Sequence, residues 1–235
     1  METLVSKVRF EGRTSLFHYE NPNDHIQAYH RNGSFYELRQ LQFHRDIIPM
    51  QSTVIDVGAN VGNHTIFYAM HTWAGLVYPF EPNIEARRLL LSSLSGNFDY
   101  RARVSTEYVE YAVGNKAERL KITATSENNL GGTSFGATSE DSQDIVDCIR
   151  LDDIDFDGHI SFLKIDVEGM ELQVLGGAIN LIGRFRPAIA LEISARHEPE
   201  FWKWLSDNDY QVVNVFFEYL HFKNYLLIPK NKKYL

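Results

Sequence analysis

The sequence of 235 residues lacks several features that would indicate a particular class of protein. It has one cysteine, Cys148, so it can form neither an intrachain disulfide nor a cysteine-based zinc site. The nine histidines are scattered, without the His-x3-His spacing of zinc ligands. No run approaches about 18 apolar residues, and residues 1–10 are charged and mixed, unlike a secretory signal. We therefore expect a cytoplasmic protein with no membrane span.

The sequence also has fewer positively charged than negatively charged residues. Lys and Arg total 23 against 31 Asp and Glu, which gives a formal net charge of −8. Proteins that bind nucleic acid hold its phosphates with clustered cations, so this balance argues against a nucleic-acid partner. The hydrophobic share of 44% is ordinary for a globular protein and excludes a wholly disordered chain.

Two regions of the chain differ in composition. Residues 1–50 are rich in His, Asn, Tyr and Phe, with turn signals at 21–24 and 32–33. They predict a strand pair or irregular cap, then a helix over 36–48. Residues 51–235 alternate apolar runs with helical patterns, which predicts a doubly wound α/β sheet. We expect an N-terminal cap of 1–50 and one domain of 51–235, with ligands beyond the carboxyl ends of the strands.

The alternation predicts individual elements. The predicted strands lie at 54–57, 75–80, 108–113, 120–125, 145–151, 159–166, 187–193, 211–218 and 225–229. The predicted helices of this region span 63–73, 84–94, a stretch running through 182, and 198–208. A glycine-rich stretch at 128–136 is predicted as either a loop that closes over a site or a surface connection.

A strand–turn–helix motif occupies residues 54–65. Gly58 and Gly62 let a ligand approach the backbone, and the following helix offers free N–H groups. Asp56 stands two positions before the first glycine, and the spacing is not Gly-x-Gly-x-x-Gly. A carboxylate here repels pyrophosphate and suits a cation without phosphate, such as S-adenosylmethionine. The alternative is a turn whose two glycines are purely structural.

Further carboxylates follow at later strand ends. Glu81 comes about 20 residues after the glycine turn, where an acid can accept the ribose hydroxyls of a bound nucleoside. Asp166 and Glu168 lie where the strand at 159–166 ends, and Glu192 ends the apolar run 188–192 of the next strand. Crowded carboxylates raise each other's pKa, which favours a general base near neutral pH. The alternative for Asp166 and Glu168 is a helix cap and a solvated side chain.

Taken together, these motifs resemble the FkbM-type family of class I S-adenosylmethionine-dependent methyltransferases. The matching segments are residues 56–62, 80–83, 112–114, 151–153, 164–171, 175–178 and 224–229. The resemblance covers about 33–229, and 165–169 is its most specific part. It implies a Rossmann-like sheet of seven strands, mostly parallel with the last antiparallel. It also implies methyl transfer to an oxygen, often a hydroxyl of a sugar or secondary metabolite.

The resemblance also implies roles for single residues. The cofactor-binding residues that it implies are Asp56, Gly58, Asn60, Gly62, Asn63, Thr65, Glu81, Pro82, Asn83, Tyr111, Ala112, Val113 and Asp166. The candidates for a catalytic base, in order of preference, are Glu168, Asp166, His64 and His197. Asp166 and Glu192 end adjacent predicted strands and leave open a divalent cation, although no metal ligand set is predicted.

The sequence thus predicts an S-adenosylmethionine-dependent O-methyltransferase that acts on a hydroxyl of a small molecule, sugar, glycan or natural product. One alternative is a nicotinamide-dependent dehydrogenase on a Rossmann fold, which the missing Gly-x-Gly-x-x-Gly spacing disfavours. Another is a non-catalytic module that binds the cofactor without turnover. The sequence indicates neither the identity of the acceptor nor the oligomeric state.

Overall fold

The protein is described here from a computed structural model covering residues 3–97, 102–126, 129–138, 145–217 and 221–231. In chain order its strands are β1 Leu4–Phe10, β2 Arg13–Tyr19, β3 Thr53–Val57, β4 Leu76–Phe80, β5 Arg103–Val104, β6 Ala112–Val113, β7 Glu118–Ser126, β8 Asn129–Ala137, β9 Ile145–Ile149, β10 Ile160–Ile165, β11 Ala188–Ser194, β12 Tyr210–Phe216 and β13 Phe222–Pro229. Its helices are α1 His25–Arg31, α2 Leu38–Ile47, α3 Asn63–His71, α4 Ile84–Gly96, α5 Glu171–Gly176, α6 Ile179–Phe185 and α7 Glu198–Asp207.

A seven-stranded sheet lies at the centre, in the order β12-β13-β11-β10-β3-β4-β5. Neighbours from β11 to β5 are parallel, and β13 is antiparallel to both of its neighbours. Every residue of β3, β4 and β10 is buried, as expected where both faces of a parallel sheet are covered. The predicted α/β, Rossmann-like sheet with its last strand antiparallel is confirmed.

The two faces of the sheet contribute to different hydrophobic clusters. Ile55 packs in the cluster that includes residues of α5, α6 and α7. Val54, the preceding residue, packs in the cluster that includes residues of α3 and the N-terminal segment. This alternation follows the two-residue period of a strand and fixes the register of β3 between two covered faces.

The N-terminal segment packs on one face of the sheet. β1 and β2 form the predicted antiparallel pair, joined at Glu11 and Gly12 instead of at either predicted turn signal. Phe17, Phe35 and Leu41 share a hydrophobic cluster with α3, so the segment is continuous with the core on that face. The division of the chain at residue 50 stays a prediction.

A second sheet has the order β6-β9-β7-β8 and departs from the predicted elements. The predicted strand at 108–113 is wrong for residues 108–111, which form a turn closed by the Tyr111 N–H donating to the Tyr108 carbonyl. Most of the glycine-rich stretch is β8, antiparallel to β7, and is therefore not a loop; residues 127 and 128 lie outside the described residues. Pairing with β7 overrides the low β-propensity of the glycines.

Some helices are shorter than predicted. The single helix predicted through residue 182 is two helices, α5 and α6, divided near Gly177. A Cβ on Gly177 would lie 1.8 Å from the Gly114 carbonyl oxygen, so the chain passes too close here for a side chain. Within the part of the chain that the structure describes, no helix has both the length and the apolar character needed to span a membrane.

Candidate functional site

The glycine turn after β3 packs tightly against the end of β10. Gly58 has φ +77° and Gly62 has φ +93°, which glycine adopts without steric cost. A Cβ on Gly58 would lie 1.8 Å from the backbone oxygen of Asp166. The Gly58 and Ala59 N–H groups both donate to the Phe80 carbonyl at the end of β4. The turn thereby brings the carboxyl ends of β3, β4 and β10 together.

Glu81 follows β4 and is held beside the turn. Its Oε2 accepts a hydrogen bond from the Asn60 N–H at 2.7 Å, and its Oε1 accepts one from the Asn83 N–H at 2.8 Å. Only 7% of the residue is exposed. Burial raises the pKa of Glu81 to about 7, against the lowering effect of the two backbone hydrogen bonds. A carboxylate fixed in this way is placed to accept ligand hydroxyls.

A cavity that opens to solvent at these strand ends, which we call the crevice cavity, has a volume of about 520 Å³. Eight of the predicted site residues line it: Gly58, Glu81, Pro82, Tyr111, Ala112, Val113, Asp166 and Glu168. Val57, Phe80, Leu130, Val167 and Met170 complete the described lining. Three side chains of the described lining are carboxylates and none is Lys, Arg or His, so it suits a cation and offers no positive charge to a phosphate.

Several predicted cofactor-binding residues do not reach this cavity. Asp56 is 0% exposed and accepts a hydrogen bond from the Thr65 hydroxyl at 2.6 Å. Asn63 is buried between His30 and Tyr36, and the Asn83 side chain caps α4. The side chains of Asp56, Asn63, Thr65 and Asn83 are therefore engaged within the protein, and their contact with a cofactor stays a prediction. Their polar groups form hydrogen bonds that shape the glycine turn and the starts of α3 and α4.

Asn60 and Gly62 also act through the backbone. Asn60 has φ +49°, and its N–H is the donor to Glu81. A Cβ on Gly62 would lie 2.6 Å from the Leu90 side chain, so this glycine permits α3 to approach α4. Neither residue is part of the described cavity lining, and both are better explained as supports of the turn.

Lys164 is a site residue that the sequence did not reveal. Its ammonium donates to the Gly58 carbonyl at 2.6 Å and lies 3.3 Å from carboxylate oxygens of both Asp56 and Asp166. Burial alone would lower the pKa of Lys164, but the charges of Asp166 and Asp56 raise it well above its usual value. The permanent cation joins the ends of β3 and β10. Its position in the 164–171 motif was the available signal.

Acidic side chains crowd the space beyond β10 and β11. Burial and the charge of Asp166 raise the pKa of Glu168 to about 7. Burial, opposed by backbone hydrogen bonds and reinforced by neighbouring carboxylates, raises the pKa of Glu171 to about 7. Burial and the charges of Asp166 and Glu168 raise the pKa of Glu192 to about 9. Glu168 thus titrates near neutrality, whereas Glu192 is protonated there.

His64 lies in a different cavity from Glu168. Together with Glu37, His44, Lys164, Asp166 and Glu192 it lines a space of about 280 Å³, the inner polar cavity. Its Nε2 is 3.2 Å from a Glu37 oxygen and its Nδ1 is 3.5 Å from the Asn63 amide nitrogen. Contact of His64 with the crevice cavity, expected of a base there, is not found. The contact of its Nε2 with Glu37 joins the N-terminal segment to α3.

His197 and Glu192 are the remaining candidate residues, and neither lines the crevice cavity. His197 lies 3.9 Å from Glu171 and lines none of the cavities described here. Glu192 lines the inner polar cavity beside Asp166, as the topology predicted. The described residues include no group of three or more His, Cys, Asp or Glu side chains placed to hold a metal ion. The cation that neighbours Asp166 is the Lys164 ammonium.

The N-terminal segment is connected to the crevice cavity through Asp24. One oxygen of its buried carboxylate accepts hydrogen bonds from the first turn of α1, and the other accepts the Leu130 N–H at 3.0 Å. Leu130 belongs to β8 and lines the crevice cavity. The second sheet is thus held over the cavity by a side chain from residues 1–50.

Solved structures share the fold. Methyltransferase FkbM from Methylobacillus flagellatus KT is 21% identical with a TM-score of 0.53; the match covers 76% of this chain but 44%, less than half, of that protein. An rRNA methylase from Streptococcus thermophilus is 11% identical with a TM-score of 0.50, covering 81% of this chain and 94% of that one. A protein of the NADB-Rossmann superfamily from Streptococcus agalactiae is 14% identical with a TM-score of 0.50, covering 83% and 69%. At these identities the likeness shows the fold alone.

The family comparison is more specific. No curated protein matches the sequence significantly. The model of the methyltransferase FkbM domain matches residues 56–226, which include the glycine turn, Glu81, Lys164, Asp166 and Glu168. This match gives no support to the dehydrogenase alternative. Because it spans more than half of the chain, it shows that the chain belongs to the FkbM methyltransferase family.

Proposed function

We propose that the protein is an S-adenosylmethionine-dependent O-methyltransferase acting on a hydroxyl of a small-molecule or glycan acceptor. The observation that carries this proposal is the crevice cavity, which has three carboxylates and no described cationic side chain in its lining. Such a lining fits a sulfonium nucleoside and is poorly suited to a dinucleotide, whose pyrophosphate needs donors or cations. Family membership supports the same reaction class.

We assign different parts of the cofactor to different residues of the crevice cavity. Glu81, fixed by two backbone N–H groups, is placed to accept the ribose hydroxyls. Tyr111, Ala112 and Val113 offer the apolar wall for the base, and Gly58 allows close backbone approach. When bound, the cofactor supplies a methyl group on a sulfonium that is already a good leaving group. Asp166 and Glu168 lie at the end of the cavity that we assign to this group.

The protein's chemical contribution is to align the acceptor oxygen and to remove its proton. Holding the acceptor oxygen in line with the transferred methyl group supplies much of the rate enhancement. An aliphatic hydroxyl is a weak nucleophile, so its proton must leave as the new carbon–oxygen bond forms. Glu168 lines the cavity and has a pKa of about 7, which makes it a base that is ionised in useful amounts at neutral pH.

Glu81→Ala tests cofactor binding. Loss of the hydroxyl acceptor and of the two backbone hydrogen bonds is expected to weaken S-adenosylmethionine binding by about 1–3 kcal/mol, measured by isothermal titration calorimetry. Glu85→Ala, an exposed acid on the next helix, is the matched control and is expected to bind normally. Wild-type protein that binds NADH but not S-adenosylmethionine would contradict the proposed cofactor.

Glu168→Gln tests the catalytic base. We expect nearly unchanged affinity for S-adenosylhomocysteine and a methyl-transfer rate reduced by about 10²–10⁴-fold, measured at saturating acceptor. Because only ionised Glu168 accepts a proton, the wild-type rate should rise with pH through about 7, and this rise should vanish in the variant.

Glu200→Gln, on the exposed first turn of α7, is the matched control for Glu168→Gln and should keep the wild-type pH profile. A fully active Glu168→Gln enzyme would remove this residue from the role of base. A wild-type protein that binds the cofactor but methylates no hydroxylated acceptor would favour the non-catalytic binding module.

A further inference from the structure

A third cavity opens beside the crevice cavity and shares Glu168 with it. It has a volume of about 780 Å³, and its described lining consists of Glu168, Gly169, Ser194, Ala195, Arg196, His221 and Phe222. About 420 Å³ of this space is accessible to a water-sized molecule, which lies within the range of about 300–1,000 Å³ that is usual for small-molecule sites. We call it the arginine cavity. Because Glu168 lines both spaces, a molecule in the arginine cavity lies next to the base that we assign to methyl transfer.

Arg196 is the cation of this cavity, and it is available to a ligand. Although Glu168 lines the same cavity, Arg196 forms no ion pair or hydrogen bond with any other residue that the structure describes. Its guanidinium lies over Gly169, where a Cβ would be 3.0 Å from an Nη atom. Gly169 has φ +85°, a conformation that other residues rarely adopt, so the backbone leaves room for the guanidinium.

Ser194 is a second and independent indication of a ligand. It is 8% exposed, lines the arginine cavity, and its buried hydroxyl has no hydrogen-bond partner among the described residues. Buried hydroxyls are almost always paired, so an unpaired one in a cavity wall is a candidate contact for a ligand. His221, on the opposite chain segment, adds an imidazole, and its carbonyl accepts the Ala195 N–H at 3.0 Å, which joins the two walls.

The donors in this cavity contrast with the carboxylates around it. A guanidinium, an imidazole and a free hydroxyl together fit a carboxylate, sulfate or phosphate, and arginine binds such groups with two parallel hydrogen bonds. We propose that the arginine cavity binds the methyl acceptor and that the acceptor carries an anionic group, which Arg196 holds while a neighbouring hydroxyl faces Glu168. This proposal rests on the proposed function and specifies its substrate class.

Binding of matched sugars tests the proposal without requiring turnover. The probes are D-glucuronate and D-glucose 6-phosphate, each compared with neutral D-glucose, and affinity is measured by ligand-observed NMR on protein saturated with S-adenosylhomocysteine. We expect the anionic sugars to bind at least tenfold more tightly than glucose. Arg196→Gln should remove this preference without changing glucose binding, and Arg196→Lys should retain part of it.

Arg9→Gln, an exposed arginine on β1, is the matched control and should preserve the preference. Equal affinity for glucose and both anionic sugars, no detectable binding of either anionic sugar, or full anion binding by Arg196→Gln would each overturn the proposal. Calorimetric titration of S-adenosylhomocysteine into ligand-free portions of the same proteins separates this failure from failure of the proposed function, because Arg196 is not part of the described lining of the crevice cavity.

Discussion

Gly58→Ala is expected to abolish cofactor binding and to destabilise the fold substantially. The new Cβ would lie 1.8 Å from the Asp166 carbonyl oxygen and 2.8 Å from its carbon. Both are backbone atoms at the end of β10, so they cannot move aside by changing a rotamer. The positive φ of +77° adds a cost of about 1–2 kcal/mol for an L-residue. Overpacking adds typically about 1–3 kcal/mol.

The functional loss follows from where this clash lies. Relieving it separates the glycine turn from β10, and the turn also carries the Asn60 N–H that holds Glu81. Urea unfolding and calorimetric titration of S-adenosylhomocysteine measure the two effects. Gly183→Ala on α6 is the matched control: its Cβ would meet nothing within 4 Å, so it should leave binding intact and stabilise the helix by about 0.5–1 kcal/mol. A Gly58→Ala protein with normal stability and binding would contradict the packing described here.

The main sheet was predictable because its strands are completely buried. β3, β4 and β10 appear in the sequence as short apolar runs bounded by glycine or polar residues. Elements stabilised mainly by pairing were not predictable in the same way. β5 has two residues in the main sheet, and β8 is rich in glycine, so neither carries a hydrophobic pattern of its own. Pairing with β4 decides the structure of β5, and pairing with β7 decides that of β8.

The candidate site was predictable to the level of the backbone segments. The sequence identified the turn, the end of β4 and the end of β10, and the cavity lies among them. It did not distinguish side chains that face the cavity from those that support it. Asp56 illustrates the difficulty, because a carboxylate at the end of β3 suits a bound cation equally well whether that cation is a ligand or Lys164. Only the pairing of β3 with β10 in the sheet reveals that the cation beside Asp56 is Lys164.

Lys164→Met is expected to destabilise the protein by about 3–5 kcal/mol, because it leaves a buried carboxylate without its cation. Asp56 is 0% exposed and Lys164 is 4% exposed, so little solvent is available to replace the lost interaction. The Gly58 carbonyl also loses its donor at 2.6 Å, and Asp166 loses its neighbouring positive charge. We therefore expect weaker binding of S-adenosylhomocysteine as well, measured on the folded fraction by calorimetry at low temperature.

Two comparisons make the Lys164→Met result specific to the buried pair. Lys203→Met removes an exposed lysine paired with Asp207 on α7, where a surface ion pair contributes about 0–1 kcal/mol, so its urea midpoint should hardly change. The double variant Lys164→Met with Asp56→Asn removes both charges and should be more stable than Lys164→Met alone, since no isolated ion stays buried. If the double variant is instead as unstable as the sum of the two single variants, Asp56 and Lys164 act independently, and the lysine does not hold the ends of β3 and β10 together by charge.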